Sequence, residues 1–178
     1  KRIICLANLR DQKNHFLLLE VAKKLKNEYP DWSFHLVGKD FQDDYSHQVK
    51  EILKENRLEE TVFLYGTKND ISHIISQSEI AILTSKSEGL PVALLEYGLN
   101  KKPVVVTSVG EIPLIIKNGE NGFIVPSNDA EMFYKTLLQL IEQPELRMKL
   151  GHNLYETIFQ NHTENGVINQ YFNWLKSV

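Results

Sequence analysis

Glu88 and Glu96 stand eight residues apart in the stretch SKSEGLPVALLE, residues 85–96. Proline suits the first turn of a helix, so Pro91 and the apolar run after it predict a helix starting there. One carboxylate then sits at the helix mouth, and the other lies roughly 9 Å along it from Leu90, at about 1.5 Å per residue. A helix N-terminus offers unpaired amides and the positive end of a dipole, which suits a phosphate. Pro91 has no N–H, so the usable amides are those of Gly89, Leu90 and Val92, and Gly89 lets the backbone come close. A carboxylate beside a phosphate needs a reason, because like charges repel. It is, however, a good acceptor for vicinal hydroxyls. A sugar at Glu88, a ribose at Glu96 and a diphosphate on the amides together describe a nucleotide sugar.

Apolar runs that alternate with amphipathic stretches must position these groups. RIICLA, SFHLVG, TVFLYG, EIAILTS, PVVVTSV and GFIVP read as six strands. Residues 12–29 place Phe16, Leu19, Ala22 and Leu25 at helical spacing. A polar helix is expected over 44–57 and a short one over 70–78, with Asp70 as its N-cap. Helices over 129–142, about 144–160 and about 164–176 close the chain. Runs such as PVVVT and IAIL are apolar on both faces, as in a parallel sheet covered on both sides. Strict alternation of strands and helices predicts one α/β domain over residues 1–178, a doubly wound parallel six-stranded Rossmann-like sheet with C-terminal helices.

Such sheets bind ligands outside the carboxyl ends of their strands, where the strand order reverses. In the common order 3-2-1-4-5-6 that point lies between strands one and four. The loop after strand one, ANLRDQKN, then faces the loop after strand four, TSKSEGLP. The first brings Arg10 and Lys13, and Lys13 can add a point charge to a phosphate. There is no Walker A sequence and no Gly-x-Gly-x-x-Gly, so ordinary ATPase and nicotinamide readings lose their main support.

Composition narrows the field. The 178 residues hold 20 basic and 23 acidic side chains, a formal net charge of -3, with no basic field for nucleic acid or an anionic membrane. The single cysteine, Cys5, excludes an intrachain disulfide framework and points to a reducing compartment and a core position. No apolar stretch approaches the ~20 residues of a membrane span. The six histidines, including His15, His35 and His73, show no metal-binding spacing, so no metal site is expected. Asn121-Gly122 reads as a turn, and Gly110 and Glu111 either close over the phosphate or begin a helix. The chain enters its first strand at once and reads as part of a longer polypeptide.

The segment SKSEGLPVALLEYGLNKKPVVVT resembles the E-x7-E region of retaining GT-B glycosyltransferases of family 4. LRDQKNHFLLLEVAKKL is similar to the family's phosphate loop and first helix, and HLVGKD to its second strand and glycine. VFLYGTKNDISHIISQSEIAIL looks like its base-side loop and fourth strand. TSVGEIPLIIKNGENGFIVPSNDAEMF is similar to the segment with a Gly-x-x-Pro turn and an Asn-Gly hairpin. The resemblance covers nearly the whole chain and implies the C-terminal, donor-binding half of a GT-B fold. It places Glu88 near the donor sugar, Glu96 on the ribose, Lys13 on the diphosphate with amides around Leu90, and the base near Gly38 and the loop 68–71 that includes Ile71.

The resemblance further implies a UDP- or GDP-sugar donor and transfer of a hexose-type sugar with retention. No cofactor or obligatory metal is implied. The acceptor, a glycan or lipid-linked molecule, would be held by an N-terminal domain without which this chain would not turn over. A role in polysaccharide biosynthesis is implied, in the cytoplasm, with peripheral association of the full-length protein at the inner face of the membrane. Where the family has an arginine, five residues before the lysine, this chain has Asn8, with Arg10 nearest. Either Asn8 contacts phosphate by a neutral hydrogen bond or Arg10 swings in. That departure keeps a second reading open, a non-catalytic or degenerate nucleotide-sugar-binding module. The aromatic cluster of Tyr171, Phe172, Trp174 and Leu175 either packs within the domain or, in the last helix over about 163–178, turns toward a partner domain.

Overall fold

A computed structural model describes residues 1–177. Six parallel strands, β1 (Arg2–Leu6), β2 (Ser33–Val37), β3 (Val62–Leu64), β4 (Ile80–Leu83), β5 (Val104–Thr107) and β6 (Phe123–Val125), lie in the order β3-β2-β1-β4-β5-β6. The order reverses between β1 and β4, as in the common order expected of such a sheet. The helices between strands are α1 (His15–Glu28), α2 (Asp44–Glu55), α3 (Ile71–Ser76), α4 (Val92–Leu99) and α5 (Ile112–Ile115). Three more follow the sheet: α6 (Ala130–Glu142), α7 (Pro144–His162) and α8 (Glu164–Ser177). Among the described residues no helix is long and apolar enough to cross a membrane.

Successive strand residues feed opposite faces. Ile3, Cys5, Ile80, Ile82 and Val105 pack with Leu18, Val49 and Leu137 of α1, α2 and α6. Ile4, Ala81, Leu83, Val104 and Val106 pack with Leu94, Tyr97, Leu154 and Ile158 of α4 and α7. Two cores, one on each face, explain why the strands are apolar throughout. Cys5 belongs to the first core, and burial pushes its thiol up to about 12.

β1 and β4 pair only through Ile3↔Ile80 and Ile4↔Ala81, then part. Tyr97, fully buried on α4, spans the gap. Its hydroxyl accepts from the Leu6 amide at 2.6 Å and donates to the Ile82 carbonyl at 3.4 Å. Behind α4, α7 approaches closely. A Cβ at Gly98 would lie 2.5 Å from Ile158 Cγ1, and one at Gly151 would lie 2.1 Å from the Lys101 carbonyl oxygen.

Several local expectations change. The third strand is confined to Val62–Leu64, and the polar helix ends at Glu55, with Arg57 at φ 52°. Pro91 is the N-cap of α4 rather than part of its first turn. Asp70 caps α3 as expected, accepting from the His73 amide. Asn121-Gly122 leads into β6, which runs parallel to β5, so the segment is no strand-to-strand hairpin. The Asn121 side chain is buried and binds the Lys117 amide, the Ile115 carbonyl and Thr157 Oγ1. Tyr171, Phe172, Trp174 and Leu175 are exposed on α8, not packed into a core.

His15, wholly inaccessible at the start of α1, meets the Tyr45 hydroxyl through both its amide and Nδ1. Burial lowers its pKa from 6.5 to about 4. The unfolded chain therefore takes up this proton first, and stability is lost as pH falls through that interval, by about 3 kcal/mol near pH 4. Denaturant midpoints of wild type and His15→Gln, followed from neutral pH to about pH 4, isolate this contribution. A stability difference that stays constant over that range rules it out.

Candidate active site

The cleft lies at the carboxyl ends of β1 and β4 and encloses about 440 Å³. Its lining includes Asn8 and Lys13 after β1, Gly38 and Lys39 after β2, Lys68 and Ile71 after β3, and Glu88, Leu90, Val92 and Glu96 around the start of α4. Three lysines and two glutamates thus face one space. No side chain caps α4, whose N-cap Pro91 is extended at φ −76° and ψ 112°. The first amides of such a helix have no partner within it and are available to an anion.

The loops after β1 and β4 are stitched together. Lys13 Nζ donates to Glu88 Oε1 at 2.6 Å, and Ser85 Oγ donates to the same oxygen at 2.6 Å. Thr84 Oγ1 donates to the Lys13 carbonyl, Thr107 Oγ1 to the Ser85 carbonyl, and the Lys86 amide to the Gln12 carbonyl. The Glu88 side chain is only 5% exposed and that of Lys13 20%. Glu96, one turn into α4, is partly buried, and burial raises its carboxyl pKa.

Of the residues expected at the site, Lys13, Asn8, Gly38, Ile71, Glu88, Leu90, Val92 and Glu96 come together here. The remaining two, Gly89 and Arg10, lie beside the lining. Gly89 is exposed, with its carbonyl accepting from the Glu111 amide at 3.3 Å. The Arg10 guanidinium sits 4.3 Å over the Phe41 ring, outside the cleft. The Asn8 side-chain oxygen accepts from the Lys39 amide at 2.7 Å, which leaves its NH2 for a ligand. Gly38 touches the backbone of Ala7, where a Cβ would come within 2.1 Å of the carbonyl oxygen. Lys39 and Ser85 have no role in the sequence reading. Lys39 follows directly on Gly38, but nothing local distinguishes Ser85 from Ser87 as the partner of Glu88.

Gly110 closes the back of the Glu88 loop. At φ +57° its Cβ would lie 1.9 Å from the Glu88 carbonyl oxygen. Gly110→Ala is therefore expected to displace that loop at both backbone and contact level, with destabilisation of roughly 2–4 kcal/mol. Thermal unfolding measures it, and a variant as stable as wild type would show the contact to be dispensable.

Residues 1–157 match the family described as Glycosyl transferases group 1. The chain belongs to this family. It is 30% identical over 152 residues to an uncharacterized glycosyltransferase of Haemophilus influenzae, covering 85% of this chain and 42% of that protein. It is 31% identical over 142 residues to the Escherichia coli UDP-Gal:alpha-D-GlcNAc-diphosphoundecaprenol alpha-1,3-galactosyltransferase, covering 77% of this chain and 35% of that protein. The chain thus spans less than half the length of these curated relatives.

Among solved structures, the fold of this group 1 domain superposes on Anabaena HepE in complex with UDP and glucose with a TM-score of 0.89 at 20% identity, covering 99% of this chain and 48% of that one. It superposes on the C-terminal domain of the Francisella tularensis group 1 protein LpcC with a TM-score of 0.83 at 25% identity, covering 92% of this chain and 87% of that one. The architecture is that of a GT-B C-terminal domain.

Proposed function

We propose that this domain binds the nucleoside-diphosphate-sugar donor of a retaining, family 4 glycosyltransferase. The carrying observation is the meeting of Lys13, Glu88, Glu96 and the uncapped start of α4 in one cleft at the strand-order switch. Lys13 and the α4 amides take the diphosphate, Glu96 the ribose, and Glu88 the sugar. As the bond to the sugar breaks, negative charge grows on the departing diphosphate, and Lys13 and the helix end stabilise it there. Glu88 positions the sugar rather than attacking it, and no obligatory metal or cofactor enters. Lys39 and Lys68 add positive potential along the base-side wall.

HepE was solved with UDP and the Escherichia coli relative is named for a UDP-sugar, so UDP-sugars lead and GDP-sugars follow. A hexose-type sugar passes to a glycan or lipid-linked acceptor bound by a further domain, in polysaccharide biosynthesis at the cytoplasmic face of the membrane. That relative's diphosphoundecaprenol-linked substrate supports the lipid-linked acceptor. A non-catalytic nucleotide-sugar module is the second reading. Its support is Asn8 in place of an arginine, with Arg10 turned onto Phe41.

Titration calorimetry with UDP, GDP, ADP and their sugars tests the reading. Binding of one nucleotide family supports it, and no binding in the full-length protein overturns it. The Glu96 carboxyl, raised by burial, takes up its proton at higher pH than an ordinary glutamate. A protonated carboxyl accepts ribose hydroxyls poorly. Nucleotide affinity is therefore expected to fall on acidification before the usual carboxylate range is reached. Glu96→Gln removes this pH step, and a step that survives the substitution belongs to another group.

A further inference from the structure

Lys13 and Glu88 hold each other. The ammonium and the Ser85 hydroxyl converge on one carboxylate oxygen, each at 2.6 Å. At 5% exposure, Glu88 depends on these two donors in place of water. A buried charge that loses its partner is costly. The side chains have little room to rearrange, because Thr84 fixes the Lys13 carbonyl, Thr107 fixes the Ser85 carbonyl and Gly110 backs the Glu88 carbonyl.

A diphosphate in this cleft also needs Lys13, so one ammonium serves two anions. What replaces it at Glu88 depends on the ligand. An intact donor brings sugar hydroxyls that donate to the carboxylate. A free nucleoside diphosphate brings none, and Glu88 is left with Ser85 alone. We propose that the Lys13–Glu88 pair discriminates the intact donor from the released nucleoside diphosphate. Glu88 competes with the diphosphate for Lys13, and Ser85 is the positioning residue that sets how unfavourable the exchange is. The inference rests on the donor-site reading for the ligand's identity, whereas the competition is a property of the pair itself.

The test titrates inorganic pyrophosphate, UDP and UDP-glucose into wild type, Glu88→Gln and Ser85→Ala, with thermal unfolding to verify folding. Glutamine keeps the shape and the Ser85 contact but removes the charge. Pyrophosphate and UDP are expected to bind Glu88→Gln about tenfold tighter than wild type, the size of one charge-assisted hydrogen bond released. UDP-glucose gains nothing or weakens, so the wild-type preference for the sugar nucleotide shrinks. Ser85→Ala moves the other way, weakening UDP more than UDP-glucose, where a purely structural role would weaken both alike.

Pyrophosphate binding that is unchanged or weaker in Glu88→Gln overturns the competition. Tighter pyrophosphate binding while neither uridine ligand binds any form leaves the competition standing and rejects the uridine nucleotide as ligand. If Glu88→Gln does not fold, Ser85→Ala decides, and equal losses for UDP and UDP-glucose overturn the proposal.

Discussion

Replacing Lys13 with methionine is expected to lower turnover of the full-length enzyme about 10²–10³-fold, the effect of removing one preorganised group from a developing oxyanion. Methionine keeps much of the length and loses the charge. Two consequences must be separated. One is chemical: the departing diphosphate loses its cation, and the α4 amides remain. The other is structural: Glu88, 5% exposed, keeps only Ser85 as a donor. Breaking a buried pair from one side destabilises by up to roughly 3–5 kcal/mol, and the 20% exposure of Lys13 puts this site below that range. The double variant Lys13→Met, Glu88→Gln removes the stranded charge. Its thermal midpoint is expected to recover while its turnover does not. Recovery of turnover alongside stability would show that Lys13 serves the fold rather than the reaction.

Glu96→Ala is expected to weaken UDP and UDP-sugar equally, by about 10–100-fold, the range of one or two charge-assisted hydrogen bonds. Inorganic pyrophosphate, which has no ribose, should bind the variant as it binds wild type. The carboxylate is partly buried in the free domain, where burial disfavours its charge, so its removal should cost little stability. Calorimetry with the three ligands reads the pattern directly. A loss confined to the sugar nucleotide would move Glu96 from the ribose to the sugar, and an equal loss for pyrophosphate would make it a general perturbation of α4.

The doubly wound sheet was legible because apolar runs and helical spacing alternate without a break; its strand order was expected as the common one, and the cleft lies where that order leaves a crevice. Lys13, Glu88 and Glu96 meet there because each sits at a fixed place relative to β1 or α4. What escaped is set by the folded geometry or by elements too short to show a pattern. Arg10 turns to Phe41, a ring beyond the whole of α1 and β2. Asn121 is the turn residue it reads as, but its burial and its bond to Thr157 on α7 show only in the fold. The 3-10 turn Asp11–Lys13 and α5 are three and four residues long, too short for any period to show. Ser85 is one of two serines in its loop, and only the folded geometry gives it Glu88.

The seam between α4 and α7 limits how this domain can be recombined with its relatives. Gly98 against Ile158, Gly151 against the Lys101 carbonyl, and Asn121 bonded to Thr157 make α7 the backing plate of α4 and the segment beside it. A chimera joined between α6 and α7 would bring a foreign surface against α4, and a side chain larger than hydrogen at Gly151, or one bulkier than isoleucine at Ile158 facing Gly98, would tilt Glu96 and the helix mouth together. The unit that holds the cleft in shape therefore reaches into α7, and a junction that respects it belongs after that helix.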